Sequence, residues 1–326
     1  MKAVLYTEAG GPEVLYLGDA DMPILKEGHV IVKVEATALN RADTLQRRGF
    51  YPPPIGASTI LGLEMSGTIS AINQDETRWK VGEKVCALLD GGAYAEYVSV
   101  DSEMLIKVSD DMSFEQAAAI PEVFLTAYQS LIYLLKLTQN DTILIHAGAS
   151  GVGTAAIQIA KSVGAKVIVT ASEYKHSICR ELGADLIIDY KKDSFKNVIQ
   201  ESSFKSVDAI LDMVAGNYFS NNLDLLGVDG RMVMLAALGG LKVSEANVGQ
   251  IVWKRLNVMG STLRSRQQDY KINLTRDFVN DFWSDFDTGK MKPIIHEIID
   301  WTEVSRGHQM MEANENAGKI IMLINQ

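Results

Sequence analysis

Cysteine is nearly absent from this chain of 326 residues: only Cys86 and Cys179 occur. Two thiols cannot build a disulfide framework, and such sparse use fits a reducing compartment. No uninterrupted apolar run reaches the roughly 20 residues that a bilayer-spanning helix needs. The opening Met1-Lys2-Ala3-Val4-Leu5-Tyr6 lacks the apolar core and cleavage site of a secretory signal. A cytoplasmic location is the expectation, with no membrane partner. Positive charge is also short, since 31 Lys and Arg face 41 Asp and Glu for a net charge of −10. That balance argues against a basic phosphate-binding surface, and so against nucleic acid as the main partner. The five histidines, His29, His146, His176, His296 and His308, show no metal-ligand spacing. Internal repeats and low-complexity segments are missing too.

What remains is an ordinary globular composition, 47% hydrophobic and 22% charged, in a chain long enough for two domains. Up to about residue 120 the pattern is one of short strands: Lys2–Thr7, His29–Ala38, Met65–Ile72 and Lys84–Leu89. Gly10-Gly11-Pro12, Pro52-Pro53-Pro54 and Gly91-Gly92 punctuate them, which predicts a small all-β domain. Ser113 followed by Gln116 predicts a capped helix over Ser113–Ala119. From Thr142 the rhythm changes. Apolar runs at Thr142–His146, Lys166–Ala171, Asp185–Asp189, Val207–Met213 and Arg231–Leu235 alternate with amphipathic stretches such as Gly153–Val163 and Tyr174–Leu182. That alternation predicts βαβ units and a parallel sheet covered on both faces, hence an α/β fold. Beyond Arg264 come a helix over Asp269–Thr288 with Phe278, Phe282 and Trp283 on its apolar face, an extended Pro293–Ile299, a helix near Thr302–Asn314, and a strand Lys319–Ile324.

The strongest motif is Ile143-Leu144-Ile145-His146-Ala147-Gly148-Ala149-Ser150-Gly151-Val152-Gly153, with a helical pattern after it. Glycines at a strand-to-helix turn let the backbone approach a pyrophosphate, and the helix N-terminus offers it unpaired N–H groups. The strict G-x-G-x-x-G pattern is not met, because Ala147 or Ser150 stands where glycine is wanted. Gly148, Ser150, Gly151, Val152 and Gly153 are the candidate phosphate contacts. A site for NAD wants a carboxylate at the end of the next strand. Here that place holds Ala171 and Ser172, with Lys175 shortly after. A small residue leaves room for a 2′-phosphate and a lysine supplies its counter-charge, so NADPH is the expected cofactor. Tyr190 would cover the adenosine side, and Glu173 is an awkward neighbour for a phosphate.

Further segments carry a resemblance over essentially the whole chain. They are Ala38-Leu39-Asn40-Arg41-Ala42-Asp43, Arg48-Gly49-Phe50-Tyr51, Leu61-Gly62-Leu63-Glu64, Ala118-Ala119-Ile120-Pro121-Glu122, Leu125-Thr126-Ala127, His146–Gly153, and Leu263-Arg264-Ser265-Arg266. Together they resemble the medium-chain dehydrogenase/reductases of the zeta-crystallin-like quinone oxidoreductase branch, and more narrowly the tumour-suppressor-inducible group. The resemblance implies a GroES-like β-barrel catalytic domain over residues 1–123, completed by 265–326, and a Rossmann domain with a doubly wound parallel sheet over 124–264. It implies a cleft between the two, with Asn40 and Tyr51 lining the nicotinamide and substrate pocket. It adds Thr126 on the carboxamide side and Gly216, Leu238, Leu263 and Arg264 as cofactor contacts. Homo-oligomers, dimer or tetramer, through the Rossmann sheet edge are implied as well, with Asn257–Leu263 the strand placed to form that edge.

Zinc-dependent relatives carry their catalytic ligands at positions that match Asn40, Leu63 and Glu122, and at most one oxygen ligand survives there. Three protein ligands are needed, so no metal is expected. Without one, the acceptor must already take hydride readily, as a quinone does. The expected activity is hydride transfer from NADPH to a small quinone, with Tyr51 and Asn40 hydrogen-bonding the developing oxyanion. Asp43 stands as either an orienting carboxylate or a structural one. The alternatives are reduction of the activated double bond of an enal or enone, and an NADPH-binding sensor or structural protein with little turnover.

Overall fold

The computed structural model describes residues 1–243 and 245–324. The chain divides into two units, Met1–Leu125 with Arg264–Gln326, and Thr126–Leu263. Among the described residues no helix is long and apolar enough to cross a membrane.

The first unit begins with β1 (Lys2–Leu5) and β2 (Tyr16–Asp19), an antiparallel pair. It continues through β3 (His29–Ala38), α1 (Arg41–Arg47), β4 (Glu64–Ile72), β5 (Lys84–Leu88), β6 (Tyr97–Asp101), β7 (Ile106–Lys107), α2 (Phe114–Ala118) and α3 (Pro121–Tyr128). The capping signal at Ser113 is used as expected: its hydroxyl accepts from Gln116 N at 3.2 Å, and Gln116 Oε1 accepts from Ser113 N at 3.0 Å. Helix α1 and strands β2, β6 and β7 are additions to the sequence-based picture.

The second unit holds β8 (Thr142–Ile145), α4 (Gly151–Val163), β9 (Lys166–Thr170), α5 (His176–Glu181), β10 (Leu186–Ile188), α6 (Phe195–Glu201), β11 (Val207–Asp212), α7 (Phe219–Leu225), β12 (Leu226–Met234), α8 (Gly249–Trp253) and β13 (Asn257–Gly260). Its six strands are parallel in the order β10-β9-β8-β11-β12-β13. This is a Rossmann sheet. Leu144, Ile168, Ile210 and Met232 are fully or almost fully buried in its core, which is why these strands read as continuous apolar runs. Strand order reverses between β8 and β11, where such sheets open a ligand crevice at the strands' carboxyl ends. Strand β12 starts at Leu226, earlier than its apolar run, and carries a register irregularity between Leu226 and Arg231, opposite Val207–Ala209.

The chain then returns to the first unit through α9 (Gln268–Asp287), β14 (Ile295–Asp300), α10 (Val304–Glu312) and β15 (Lys319–Leu323). Strand β15 pairs antiparallel with β3, setting Ile321 opposite Ala38 and Leu323 opposite Ala36. The resulting order, β14-β15-β3-β4-β5-β7 with β6 also on β3, makes the GroES-like sheet seven-stranded. On α9 the buried ring after Phe278 and Phe282 is Phe286, not Trp283, which sits half-buried at the margin. Spacing by four keeps the three phenylalanines on one stripe, and residue 283 falls off it.

Candidate active site

Helix α1 organises the first unit's polar interior. Asp43, at its third position, accepts from the N-cap Asn40 N at 2.8 Å and from Gly62 N at 3.0 Å. Tyr94 donates its hydroxyl to the same carboxylate at 3.3 Å. Burial pushes the Asp43 carboxyl up to about 6, while the N–H groups of Gly62 and Asn40 pull against the shift. This places Asp43 as a structural, orienting carboxylate inside the fold.

The Asn40 side chain turns the other way. Its Oδ1 accepts from Lys319 Nζ at 2.6 Å, and its Nδ2 donates to Glu64 Oε1 at 2.9 Å and to Ala38 O at 3.3 Å. Lys319 closes the cluster with an ion pair to Glu64 at 2.7 Å, and Glu64 Oε2 accepts from Glu122 N at 2.8 Å. Both donors of the Asn40 amide are therefore engaged with the protein. For Asn40 to serve as the oxyanion donor expected from the sequence, one of these two contacts would have to give way.

Of the positions that match zinc ligands, Asn40 lies in this cluster, Leu63 is next to Glu64 and Glu122 reaches it through its backbone N, and the donor set does not fit the ion. Leu63 has no donor atom, Asn40 Oδ1 faces an ammonium, and a second cation beside Lys319 would be repelled. Among the described residues no group of three His, Cys, Asp or Glu side chains is placed to hold a metal.

Tyr51 and Arg264 lie together. The guanidinium sits 5.5 Å above the phenol ring, and burial pushes the phenol up from its ordinary range while Arg264 pulls it down. Arg264 is fixed by Asp90 O, at 2.9 Å from Nε, and by Gln46 Oε1, at 2.7 Å from Nη2. Its Nη1 is buried without a hydrogen-bond partner among the described residues. The structure thus brings Tyr51 and Arg264 together, and it holds Asn40 in a separate cluster at the N-cap of α1.

In the second unit, Gly148, Ser150, Gly151, Val152 and Gly153 form the turn from β8 into α4. Ser150 caps the helix, its hydroxyl accepting from Gly153 N at 3.0 Å. A Cβ at Gly153 would stand 2.6 Å from Gly148 O, so only glycine allows this approach. Ala147 takes φ 53°, the left-handed conformation that glycine would adopt without strain. Gly148 N and Ser150 N are taken up by Thr170 O and Ala147 O, at 2.9 Å each, so what this turn offers a pyrophosphate is the N-terminal end of α4 and its dipole.

At the ends of β9 and β10, Ser172 Oγ lies 3.4 Å from the Tyr190 hydroxyl, and the Lys175 ammonium sits over the Tyr174 ring at 5.2 Å. Glu173 is drawn to Lys192 at 2.6 Å, which relieves the awkward charge beside Lys175. A cleft of about 610 Å³ opens at the carboxyl ends of β11, β12 and β13, lined by Gly216, Phe219, Leu235 and Gly260 among others. Leu238, half-exposed, follows the β12 residues of this cleft, whereas Leu263 is buried at the end of the unit. Thr126 is buried in α3, its carbonyl accepting from Ser130 Oγ at 2.7 Å, and stands apart from the turn and the cleft in sequence.

Sequence reasoning missed Lys319, Glu64, Gln46 and Asp90, whose pairings are non-local. Only α1 had a signal, Asn40-x-x-Asp43, a capping pattern that also marks a short polar helix.

A GroES-like unit joined to a Rossmann unit with a glycine phosphate turn defines a nicotinamide-dependent oxidoreductase. Comparison with known proteins agrees. Residues 26–110 match the family described as alcohol dehydrogenase GroES-like domain, and 151–278 match zinc-binding dehydrogenase. The synaptic vesicle membrane protein VAT-1 homolog of Danio rerio is 30% identical over 98% of this chain and 69% of its own length. Quinone oxidoreductase of Homo sapiens is 29% identical over 99% and 98%. A mycobacterial protein solved in complex with NADPH superposes with a TM-score of 0.89 at 27% identity, covering 99% of this chain and all of the other. The chain belongs to the medium-chain dehydrogenase/reductase superfamily, and its relatives include quinone oxidoreductases.

Proposed function

We propose that this protein is an NADPH-dependent reductase that passes hydride to a small quinone without a metal, and that it stands closest to the tumour-suppressor-inducible quinone oxidoreductases. The observation that carries the reading is the Lys319–Glu64–Asn40 cluster. With an ammonium where a zinc cage would be, no Lewis acid is available to stabilise an alkoxide, so the acceptor must be one whose reduction is easy. NADPH, when bound, supplies the hydride. The glycine turn would hold its pyrophosphate, Ser172, Lys175 and Tyr190 its 2′-phosphorylated ribose, and Gly216 and Leu238 its nicotinamide half, with Thr126 and Leu263 as further contacts.

On the acceptor side the Tyr51 hydroxyl would donate to the oxygen that gains negative charge, with Arg264 beside it holding the local potential positive. Asn40 walls the pocket and orients through its cluster. A second copy would add at the free edge of β13. Steady-state turnover of an ortho-quinone, a para-quinone and a 2-alkenal with NADPH tests the reading. Quinones should give the higher kcat/KM. Preference for the alkenal moves the assignment to activated double bonds, and NADPH binding without turnover of any of them makes the chain a sensor.

A further inference from the structure

Beneath the cleft of the second unit runs a chain of buried polar groups that the proposed chemistry does not use. Asp212, at the end of β11, accepts at Oδ1 from Val214 N at 2.7 Å and Ala215 N at 2.9 Å. Its Oδ2 accepts from Asn222 Nδ2 at 2.9 Å. Asn222 Oδ1 faces His146 Nε2 at 2.9 Å, and His146 Nδ1 faces Thr170 Oγ1 at 3.1 Å. Thr170 Oγ1 in turn accepts from Ala147 N at 3.3 Å. His146, Asn222 and Asp212 are wholly shut off from solvent.

The donor directions follow by elimination. A carboxylate only accepts, so the Asn222 amide presents N–H to Asp212 and oxygen to His146. The imidazole must then carry its proton on Nε2, which leaves Nδ1 to accept from the Thr170 hydroxyl. Phe195 and Tyr218 pack edge-on against the ring, with centroids at 4.9 and 4.7 Å, and burial holds it below its ordinary pKa and so neutral.

Both ends of the chain grip an unusual backbone. Ala147 and Ala215 each have φ 53°, a conformation that non-glycine residues take only when their surroundings enforce it. Ala147 opens the phosphate turn after β8. Ala215 opens onto the cleft after β11, beside Gly216, where an added Cβ would stand 2.5 Å from Gly239 O. The two turns flank the point where the strand order reverses.

We infer that Asp212, Asn222, His146 and Thr170 are positioning residues that hold the Ala147 and Ala215 turns in register, and so set how tightly the nicotinamide half of the cofactor is held. This rests on the cofactor reading above. None of the four need touch the nucleotide, since each acts through a backbone turn.

The test is Asp212→Asn in the full chain, with NADPH and adenosine 2′,5′-bisphosphate as probes. Asn keeps the acceptor for Val214 and Ala215 but puts an N–H where Asn222 donates. The Asn222 amide must flip, and the chain must reverse. NADPH should bind about tenfold more weakly, and the adenosine fragment within about twofold of normal. Long-range proton–nitrogen spectra should show the His146 proton moving from Nε2 to Nδ1. Ala215→Gly, which removes the need to enforce φ 53°, should recover most of the lost affinity in the Asp212→Asn background. Should Asp212→Asn fail to fold, Thr170→Val breaks the chain at its other end with nearly the same shape and should also weaken NADPH. An equal loss for both probes, or normal NADPH affinity in the folded variant, overturns the inference alone. A wild-type protein that binds neither probe overturns the cofactor reading and the inference with it.

Discussion

Removing the Lys319 ammonium should test the cluster that replaces a metal. In Lys319→Met the three contacts of Nζ are lost, to Glu64 Oε1, Asn40 Oδ1 and Leu39 O at 2.7, 2.6 and 3.1 Å. Glu64, fully buried, is left with only Asn40 Nδ2 and Glu122 N against its charge. Breaking a buried ion pair by removing one partner destabilises by about 3–5 kcal/mol. Trp79, Trp283 and Trp301, three of the four tryptophans, lie in the unit that holds the cluster, so guanidinium unfolding followed by fluorescence reports on it. Adding Glu64→Gln to the variant removes the stranded charge, and a flip of the Asn40 amide lets its oxygen accept from the new amide N–H at position 64, whose oxygen still accepts from Glu122 N. The double variant should recover more than half of the loss. A single variant within about 1 kcal/mol of the parent, or a double variant no better than the single, would refute the claim that the cluster is a mutually dependent unit.

Tyr51→Phe should lower kcat and kcat/KM together by several-fold to about a hundredfold, the equivalent of roughly 1–3 kcal/mol, with little change in NADPH affinity. Normal turnover would return Tyr51 to a packing role. NADPH should bind at least about tenfold tighter than NADH, and Lys175→Ala should erode that preference while sparing NADH. Equal affinities in the parent protein would overturn the cofactor choice. Asp43 gives a pH dependence whose sign follows from its raised carboxyl. The native state keeps the proton after the unfolded chain has lost it, so stability should fall by up to about 3 kcal/mol between about pH 4 and about pH 6. Asp43→Asn should flatten that slope in urea unfolding, and an unchanged slope would assign it to another group.

The Rossmann half was legible because its strands are buried on both faces. Thr142–Ile145 and Lys166–Thr170 read as apolar runs whatever lies around them. The glycine turn after β8 was legible for a related reason, since close approach admits few residue types. The polar interior of the first unit was not. Helix α1 is short and its buried face carries Asp43, Thr44, Gln46 and Arg47, so hydrophobic periodicity cannot reveal it. Asn40 was singled out from the sequence, but its partners were not. Its amide is oriented by Lys319, which lies 279 residues away, and no local pattern encodes such a partner. Trp283 was expected on the apolar face of α9 with Phe278 and Phe282, yet a helix rotates neighbouring residues apart, and the buried stripe continues to Phe286 instead.

The pairing of β15 with β3 has a consequence for biosynthesis. The edge of β3 at Ala36–Ala38 leaves the ribosome early, but its partner Ile321–Leu323 and the Lys319 ammonium follow only after the entire Rossmann segment. At about 5–20 residues per second, the interval is roughly 15–55 s. For that time an apolar strand edge waits unpaired while a complete second domain folds. Such an edge is a template for another chain. A nascent or truncated chain short of residue 319 would therefore keep this edge open beside a folded second unit, and would be the form most in need of a chaperone.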